Sequence, residues 1–184
     1  RQRQMCIRDR HELLKNPRKG ASTITVVGIA GVILLFGLFF LELQEMFDVQ
    51  YAIGVRAQRS VNSIVETCID DTWRADGYNI MDVDKAKSLW KEYMDEDLKV
   101  DSSGNCYSDS GKLIYHVSYG TPEFFRGRVS DNEQKNQGDF AYMQVTVNVQ
   151  MKAGLCKYFG INGYEWSNTY KSDNFRTDNE RAGD

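Results

Sequence analysis

The feature that most constrains this chain is a run of 21 residues without one charged side chain, from Ala21 to Leu41. An α-helix rises 1.5 Å per residue, so the run extends about 31 Å, the thickness of the hydrocarbon core of a bilayer. A soluble helix of this length usually carries a polar stripe. Here the polar residues Ser22, Thr23 and Thr25 are confined to the first turn. The run therefore predicts a membrane-spanning helix rather than a buried core helix.

The charges on the two sides of this run have opposite sign. Residues 1–20 carry seven basic side chains against two acidic ones, whereas residues 42–184 carry 16 basic against 24 acidic. Basic flanking segments stay in the cytoplasm. We therefore expect a cytoplasmic leader (1–20), a single membrane span (21–41) and an extracytoplasmic C-terminal domain, all at the cell membrane. The first ten residues, RQRQMCIRDR, resemble translated sequencing-adaptor sequence, but Lys15, Arg18 and Lys19 predict the same orientation without them.

A cleaved secretory signal is the alternative interpretation of such a run. Its apolar core is shorter, about 7–15 residues, and small residues follow it at the cleavage site. The residues after Leu41 are Glu42, Leu43, Gln44 and Glu45, none of which is small. We therefore expect a retained anchor.

The helix is predicted to continue beyond the membrane over residues 42–72. Apolar residues recur there at steps of three and four, which is the spacing of one helical face. Such a face must cover either a sheet of the same chain or neighbouring copies. The residues of this face are Met46, Val49, Ile53, Ala57, Val61, Ile64 and Cys68.

Residues 73–175 predict a small α+β domain. A helix is expected from Val83 to Leu98, capped by Asp82 or Asp84. A hairpin turn at Ser108–Gly111 leads into a strand over Lys112–Tyr119. Residues 120–139 are predicted to form a polar loop, and 176–184 a disordered tail.

The strand over residues 144–151 is predicted from its alternation. Val145, Val147, Val149 and Met151 alternate with polar residues, which indicates a sheet with one dry and one wet face. Tyr158–Ile161 and Tyr164–Tyr170 flank Asn162-Gly163, a strong hairpin signal. The fold class expected is thus α+β, with a mostly antiparallel sheet after one long N-terminal helix.

Motifs for catalysis or metal binding are not found in the sequence. Its two histidines, His11 and His116, stand alone, and no metalloprotease, nucleophile-elbow, P-loop or dinucleotide motif occurs. The acidic run Asp95–Asp97 lacks the spacing and glycine of a calcium loop. We expect no enzymatic activity, cofactor, metal or small-molecule substrate. The acidic domain also disfavours nucleic acid as a partner.

Three cysteines follow the apolar run: Cys68, Cys106 and Cys156. An extracytoplasmic compartment permits disulfides, and the pairing we favour is Cys106 with Cys156. Cys68 also completes the apolar face of the long helix, so packing is its alternative role.

These features together resemble the TadE-like pseudopilins of tight-adherence pili, in the divergent form of Gram-positive anaerobes. The resemblance rests on Arg18-Lys19-Gly20-Ala21, on Gln50–Asn62 (QYAIGVRAQRSVN) and on Tyr164–Asn168 (YEWSN). It implies a pilin-like lollipop in which a membrane helix carries a small sheet domain. It also implies a non-enzymatic role as a minor pseudopilin or assembly factor of a pilus or secretion system.

In this family a membrane peptidase cuts after the leader glycine, which here falls between Gly20 and Ala21. Mature pilins typically carry glutamate at their fifth position, where this chain has Thr25. The resemblance further implies membrane lipid and other pilin-like or pilus-assembly subunits as partners, through helix–helix packing. Gly28 and Gly31 would allow close helix approach. The alternative function is a single-pass extracytoplasmic sensor or ligand-binding module.

Overall fold

The computed structural model describes residues 18–75, 78–128 and 140–172. The chain divides into two compact units, Arg1–Gln44 and Glu45–Asp184. Its longest element is helix α1, 51 residues from Arg18 to Cys68. The layout is α+β, as the sequence predicts: a long apolar N-terminal helix followed by a small antiparallel sheet.

In the first unit the apolar side chains of α1 are exposed. Ile24 is 76% exposed and Leu41 61%, and most of the large apolar residues between them are also more than half exposed. Among the described residues, α1 is the one helix long and apolar enough to cross a membrane. It is therefore a candidate membrane span.

Helix α1 ends at Cys68, four residues before the predicted end at residue 72. Ile69 forms an isolated antiparallel bridge with Met81, which turns the chain out of the helix. The Asp70 carboxylate then accepts hydrogen bonds from the Thr72 amide (2.9 Å) and hydroxyl (2.5 Å). These bonds start a separate short helix, α2 (Asp71–Ala75).

Helix α3 covers Val83–Asp97, close to the predicted bounds. Of the two proposed caps, Asp82 is the one used. Its carboxylate accepts hydrogen bonds from the amides of Asp84 (3.1 Å) and Lys85 (3.0 Å), which satisfies donors that the first turn leaves open. The Lys85 ammonium donates to the Thr67 carbonyl (2.9 Å) in the last turn of α1, and so ties the two helix ends together.

The sheet contains five described strands: β1 (Asn105–Tyr107), β2 (Leu113–Tyr119), β3 (Glu123–Phe125), β4 (Tyr142–Lys152) and β5 (Gly163–Lys171). All pairings are antiparallel. Strand β4 is central, because β5 runs along one edge of it while β2 and β3 share the other. Strand β1 extends the sheet beyond β2.

One hydrophobic core joins α1, α3 and the dry face of the sheet. The predicted alternation in β4 is confirmed: Val145, Val147, Val149 and Met151 are all buried. From α3, Ala86 and Met94 are fully buried, while Leu89, Trp90 and Tyr93 pack partly buried against the same core. The second unit is thus two layers, with helices on one face of the sheet.

Two local predictions are wrong. Residues Cys156–Phe159 form a 3-10 helix rather than a strand, and Gly160 ends it in the left-handed conformation (φ 86°). Strand β5 pairs instead with β4, at a contact so close that a Cβ on Gly163 would lie 2.8 Å from the Met151 carbonyl oxygen. The second wrong prediction is the loop over residues 120–139, because strand β3 lies within it. Residues 129–139 of that segment fall outside the described residues.

Candidate functional site

The most unusual surface of the second unit is the side of α1 that faces away from the core. Tyr51 is 76% exposed and Val55 51%, whereas Ile53 and Ala57, between and beside them along the helix, are 1% and 0% exposed. Asp48 and Arg59 extend this line at steps of three, four and four residues, so the four side chains lie on one face. We name Asp48, Tyr51, Val55 and Arg59 the outer stripe.

A shallow groove of about 640 Å³ runs beside the outer stripe, between α1 and the last part of β5. Its floor is Gly54, where a Cβ would lie 3.4 Å from the Tyr170 hydroxyl. The Gln58 amide donates to the Lys171 carbonyl (2.7 Å) and holds strand and helix together at one end. Phe47, 60% exposed, stands at the other end. This apolar groove can receive side chains of another helix.

A second, more polar cleft of about 540 Å³ lies between α3 and β2. The Tyr119 hydroxyl donates to the Asp95 carboxylate (2.8 Å), and its ring packs edge-on against Trp90 with 5.6 Å between centroids. Burial, together with this bond to Asp95, raises the pKa of Tyr119 well above its ordinary value. The tyrosine therefore stays protonated and serves as a hydrogen-bond donor within the fold.

His116, at the rim of this cleft, lies on β2 as the sequence predicts. Its Nδ1 is 3.0 Å from the Asn105 side-chain oxygen, across the β1–β2 pair. Neighbouring Tyr115 donates its hydroxyl to the Leu98 carbonyl (2.6 Å), and burial raises the pKa of Tyr115. Over the described ranges, no group of three or more His, Cys, Asp or Glu side chains is placed to hold a metal ion. His116 and Tyr115 thus join β2 to β1 and to the residue that follows α3.

The apolar face predicted for helix packing turns toward the sheet of the same chain. Ile53, Ala57, Val61 and Ile64 are at most 1% exposed, in the core with β4. Met46 and Val49 pack partly buried against the same core. Of the two alternatives for what this face covers, the structure has the intramolecular one, because the apolar side chains of β4 need a helix to bury them.

The residues expected to act in processing and membrane packing lie in the first unit. Gly20 and Ala21 fall within α1. Thr25 is exposed there, and so are Gly28 and Gly31, where an added Cβ would meet no heavy atom within 4 Å. Leader residues 1–17 lie outside the described residues, as does the predicted tail 176–184.

The predicted Cys106–Cys156 disulfide is not formed in the structure. In the described part of the chain, Cys68, Cys106 and Cys156 are all buried thiols. Cys106 lies on β1, opposite Tyr115 of β2, and β2 lies between β1 and β4. Cys156 opens the 3-10 helix that follows β4. Burial raises the pKa of Cys68, which occupies the core position that its helical spacing indicated.

The outer stripe was not singled out by the sequence, although its signal is present. Phe47, Tyr51 and Val55 repeat at intervals of four residues, on a different side of α1 from the buried face that contains Ile53 and Ala57. When one helix carries two series of apolar residues, the sequence does not show which series is buried and which is exposed. The structure decides this by placing the sheet against one of them.

No family model, curated protein sequence or solved structure matches this chain.

Proposed function

We propose that this chain is a non-enzymatic, single-pass membrane protein of pilin-like design. It would serve as a minor pseudopilin or assembly factor of a tight-adherence or type IV-like pilus or secretion system. The apolar part of α1 crosses the cell membrane with the basic leader in the cytoplasm, and the acidic α+β unit lies outside. Its partners are membrane lipid and other subunits of the same kind, bound through helix–helix contacts.

The observation that supports this proposal most is the exposure of apolar side chains along α1. In the first unit they are exposed on every side, as in a helix that needs lipid or other helices around it. In the second unit the sheet covers one face, while Tyr51 and Val55 remain exposed on the opposite one. A helix with one covered and one uncovered apolar face is suited to lateral assembly.

Thr25 bears on which kind of subunit this is. At the position where mature pilins carry glutamate, a threonine supplies no charge to a neighbour's amino terminus. An uncut assembly factor that stays in the membrane, or a rare minor subunit, agrees better with this residue than a major pilin.

A second candidate function is an extracytoplasmic sensor or ligand-binding module, and the cleft at Trp90, Asp95 and Tyr119 favours it. An aromatic ring beside a carboxylate and hydroxyl groups is a common arrangement in small-molecule sites. A soluble ligand that raises the melting temperature of the protein, and no longer does so after Trp90→Ala, would favour this second function.

The test of the proposed function is the location and mass of the native protein. The protein should be purified both from its membrane and from sheared surface filaments, and its intact mass and N-terminal sequence determined. A chain that starts at Ala21 in the filaments would identify a processed pilin. An uncut chain held in membrane complexes with other pilus subunits would identify an assembly factor. An uncut, monomeric chain with no such partners would contradict the proposal.

A further inference from the structure

The cleft between α3 and β2 combines apolar surface with two charges of opposite sign. Its volume of about 540 Å³ is within the range of small-ligand sites. Trp90 and Pro122 form apolar parts of its lining, while Lys91, Asp95 and Tyr119 supply polar groups. The cleft thus differs from the groove beside the outer stripe, whose lining contains no charged side chain among the described residues.

A glycine brings one part of the lining close to β2. The Val117 amide donates a hydrogen bond to the Gly104 carbonyl (2.7 Å), and Gly104 itself is in the left-handed conformation (φ 80°). An added Cβ there would overlap the Val117 carbonyl oxygen, so a side chain is excluded at this position. Ser102 and Ser103, which precede Gly104, are thereby held in the lining of the cleft.

The two charges of the cleft do not pair with each other. In the described part of the chain, the structure shows one ion pair, between Lys87 and Asp84 (4.0 Å). Lys91 lies one helical turn before Asp95, which is the less favourable order of charges for a pair within a helix. The Asp95 carboxylate instead accepts a hydrogen bond from the Tyr119 hydroxyl through one oxygen, Oδ1 (2.8 Å). Its other oxygen and the Lys91 ammonium are available to a ligand.

We propose that this cleft binds a free α-amino acid with a large apolar side chain. The α-ammonium of the ligand donates hydrogen bonds to the Asp95 carboxylate, and its α-carboxylate accepts them from the Lys91 ammonium. Four residues of helix rise about 6 Å, and an amino acid with both charges at its α-carbon fits between two such side chains. The apolar side chain of the ligand packs against the Trp90 ring.

The mixed charge of the cleft discriminates against simpler ligands. An amine would pair with Asp95 but bring a like charge towards Lys91, whereas a carboxylic acid would pair with Lys91 and be repelled by Asp95. A neutral ligand would form an ion pair with neither. Asp95 is half-buried, and a charge-assisted hydrogen bond there is stronger than one at a fully exposed site.

The ligand class is tested by isothermal titration calorimetry of the full-length protein in lipid nanodiscs, with empty nanodiscs as the blank. The probes are L-leucine, isoamylamine, which lacks the carboxylate, and 4-methylpentanoate, which lacks the ammonium. We expect both analogues to bind at least about ten-fold more weakly than L-leucine. An analogue that binds as tightly as L-leucine would overturn the proposal, as would the absence of L-leucine binding up to about 10 mM.

Substitutions test the two charged residues. Lys91→Gln and Asp95→Asn should each weaken L-leucine binding about ten-fold, although asparagine retains an oxygen that can accept the Tyr119 hydroxyl. Lys87→Gln and Asp84→Asn make the same changes elsewhere on α3, outside the lining of the cleft, and should leave the affinity unchanged. Lys91 is exposed, so its variant keeps the test valid even if Asp95→Asn lowers stability. Unchanged affinity in Lys91→Gln, or equal losses in the control variants, would overturn the proposal.

This inference does not depend on the proposed function. All residues that line the cleft belong to the second unit, and none of them is part of the outer stripe. L-leucine binding by a chain that forms no complex with pilus subunits would therefore support the cleft and contradict the role in assembly. Assembly without L-leucine binding would contradict the cleft alone.

Discussion

Both long faces of α1 in the second unit carry apolar side chains, but only one of the two faces is buried. Ile53, Ala57 and Val61 are at most 1% exposed, whereas Phe47, Tyr51 and Val55 are between 51% and 76% exposed. The charged side chains of Asp48 and Arg59 disfavour burial of the outer face, although apolar side chains occur on both faces.

Side-chain shape explains the choice. Ala57 and Val61 are small enough to let α1 approach the valines of β4 closely, and interiors are packed without room for larger rings at such a contact. A buried Tyr51 would also need a partner for its hydroxyl. The aromatic residues of the outer face, Phe47 and Tyr51, remain exposed.

The largest expected difference between the two faces is in folding stability. Ile64→Ala should lower the free energy of unfolding by about 2–5 kcal/mol, because it leaves a cavity in the core. Val55→Ala on the outer face should change it by less than about 0.5 kcal/mol. Denaturation of the full chain in detergent micelles, followed by tryptophan fluorescence, measures both. Equal losses would mean that the outer face is also part of the core.

A matched pair of tyrosines sharpens the same comparison. Tyr119→Phe removes a hydrogen bond to the Asp95 carboxylate and should cost about 1.5–3 kcal/mol of unfolding free energy. Tyr51→Phe should cost less than about 0.5 kcal/mol, because its hydroxyl is exposed. The same denaturation experiment measures both losses of unfolding free energy. A larger loss for Tyr51→Phe than for Tyr119→Phe would mean that the outer face of α1 is the buried one.

The stabilising effect of Tyr119 should depend on pH in one direction. Its pKa is raised in the fold, so its contribution is complete below the ordinary tyrosine pKa of 10.0 and is lost as the pH rises beyond that value. The stability difference between the unaltered protein and Tyr119→Phe should therefore be constant from neutral pH to about pH 9 and shrink by about pH 11. A difference that grows with pH would contradict the raised pKa.

A smaller effect is expected at Gly54, which lies between the two faces. Gly54→Ala should raise the free energy of unfolding by about 1 kcal/mol through helix propensity, because the new Cβ would make an ordinary 3.4 Å contact with the Tyr170 hydroxyl. Gly163→Ala should destabilise instead, since its Cβ would lie 2.8 Å from the Met151 carbonyl oxygen. Thermal unfolding of both variants measures the signs, and a destabilised Gly54→Ala would mean a tighter groove.

The smallest expected effect concerns the cysteines. A reducing agent should leave the melting temperature unchanged to within about 1 °C, because the structure contains thiols at Cys68, Cys106 and Cys156. A disulfide would typically contribute about 2–4 kcal/mol. A marked fall in melting temperature on reduction would instead support the predicted Cys106–Cys156 disulfide.

The sequence predicts those elements whose physical cause is local. Asp82 caps α3 through its own neighbours, and Val145 to Met151 alternate because one face of β4 is dry. The long helix follows from its apolar spacing and from the absence of proline between Pro17 and Pro122.

The sequence does not predict what depends on distant partners. Strand β3 is only three residues long, and it forms because β4 pairs with it. The predicted strand over Tyr158–Ile161 does not form, because β4 itself is the hairpin partner of β5. The outer stripe is likewise defined only once the sheet has taken the opposite face of α1. Local sequence pattern therefore predicts the helices and the central strand. The position of the outer stripe depends on how the sheet packs against α1, which local pattern does not show.

Assembly through the outer stripe and the extracytoplasmic location of the domain are both tested by labelling intact cells with a membrane-impermeant maleimide, with one cysteine introduced at a time. In the proposed topology, Ser118→Cys, on the open face of the sheet, should label readily in intact cells. In the proposed lateral assembly, a neighbour would cover the outer stripe, so Tyr51→Cys should label poorly until detergent separates the subunits. The unaltered protein gives the background of its buried thiols. Equal labelling at both positions in intact cells would contradict assembly through this face, and labelling at neither would contradict an extracytoplasmic domain.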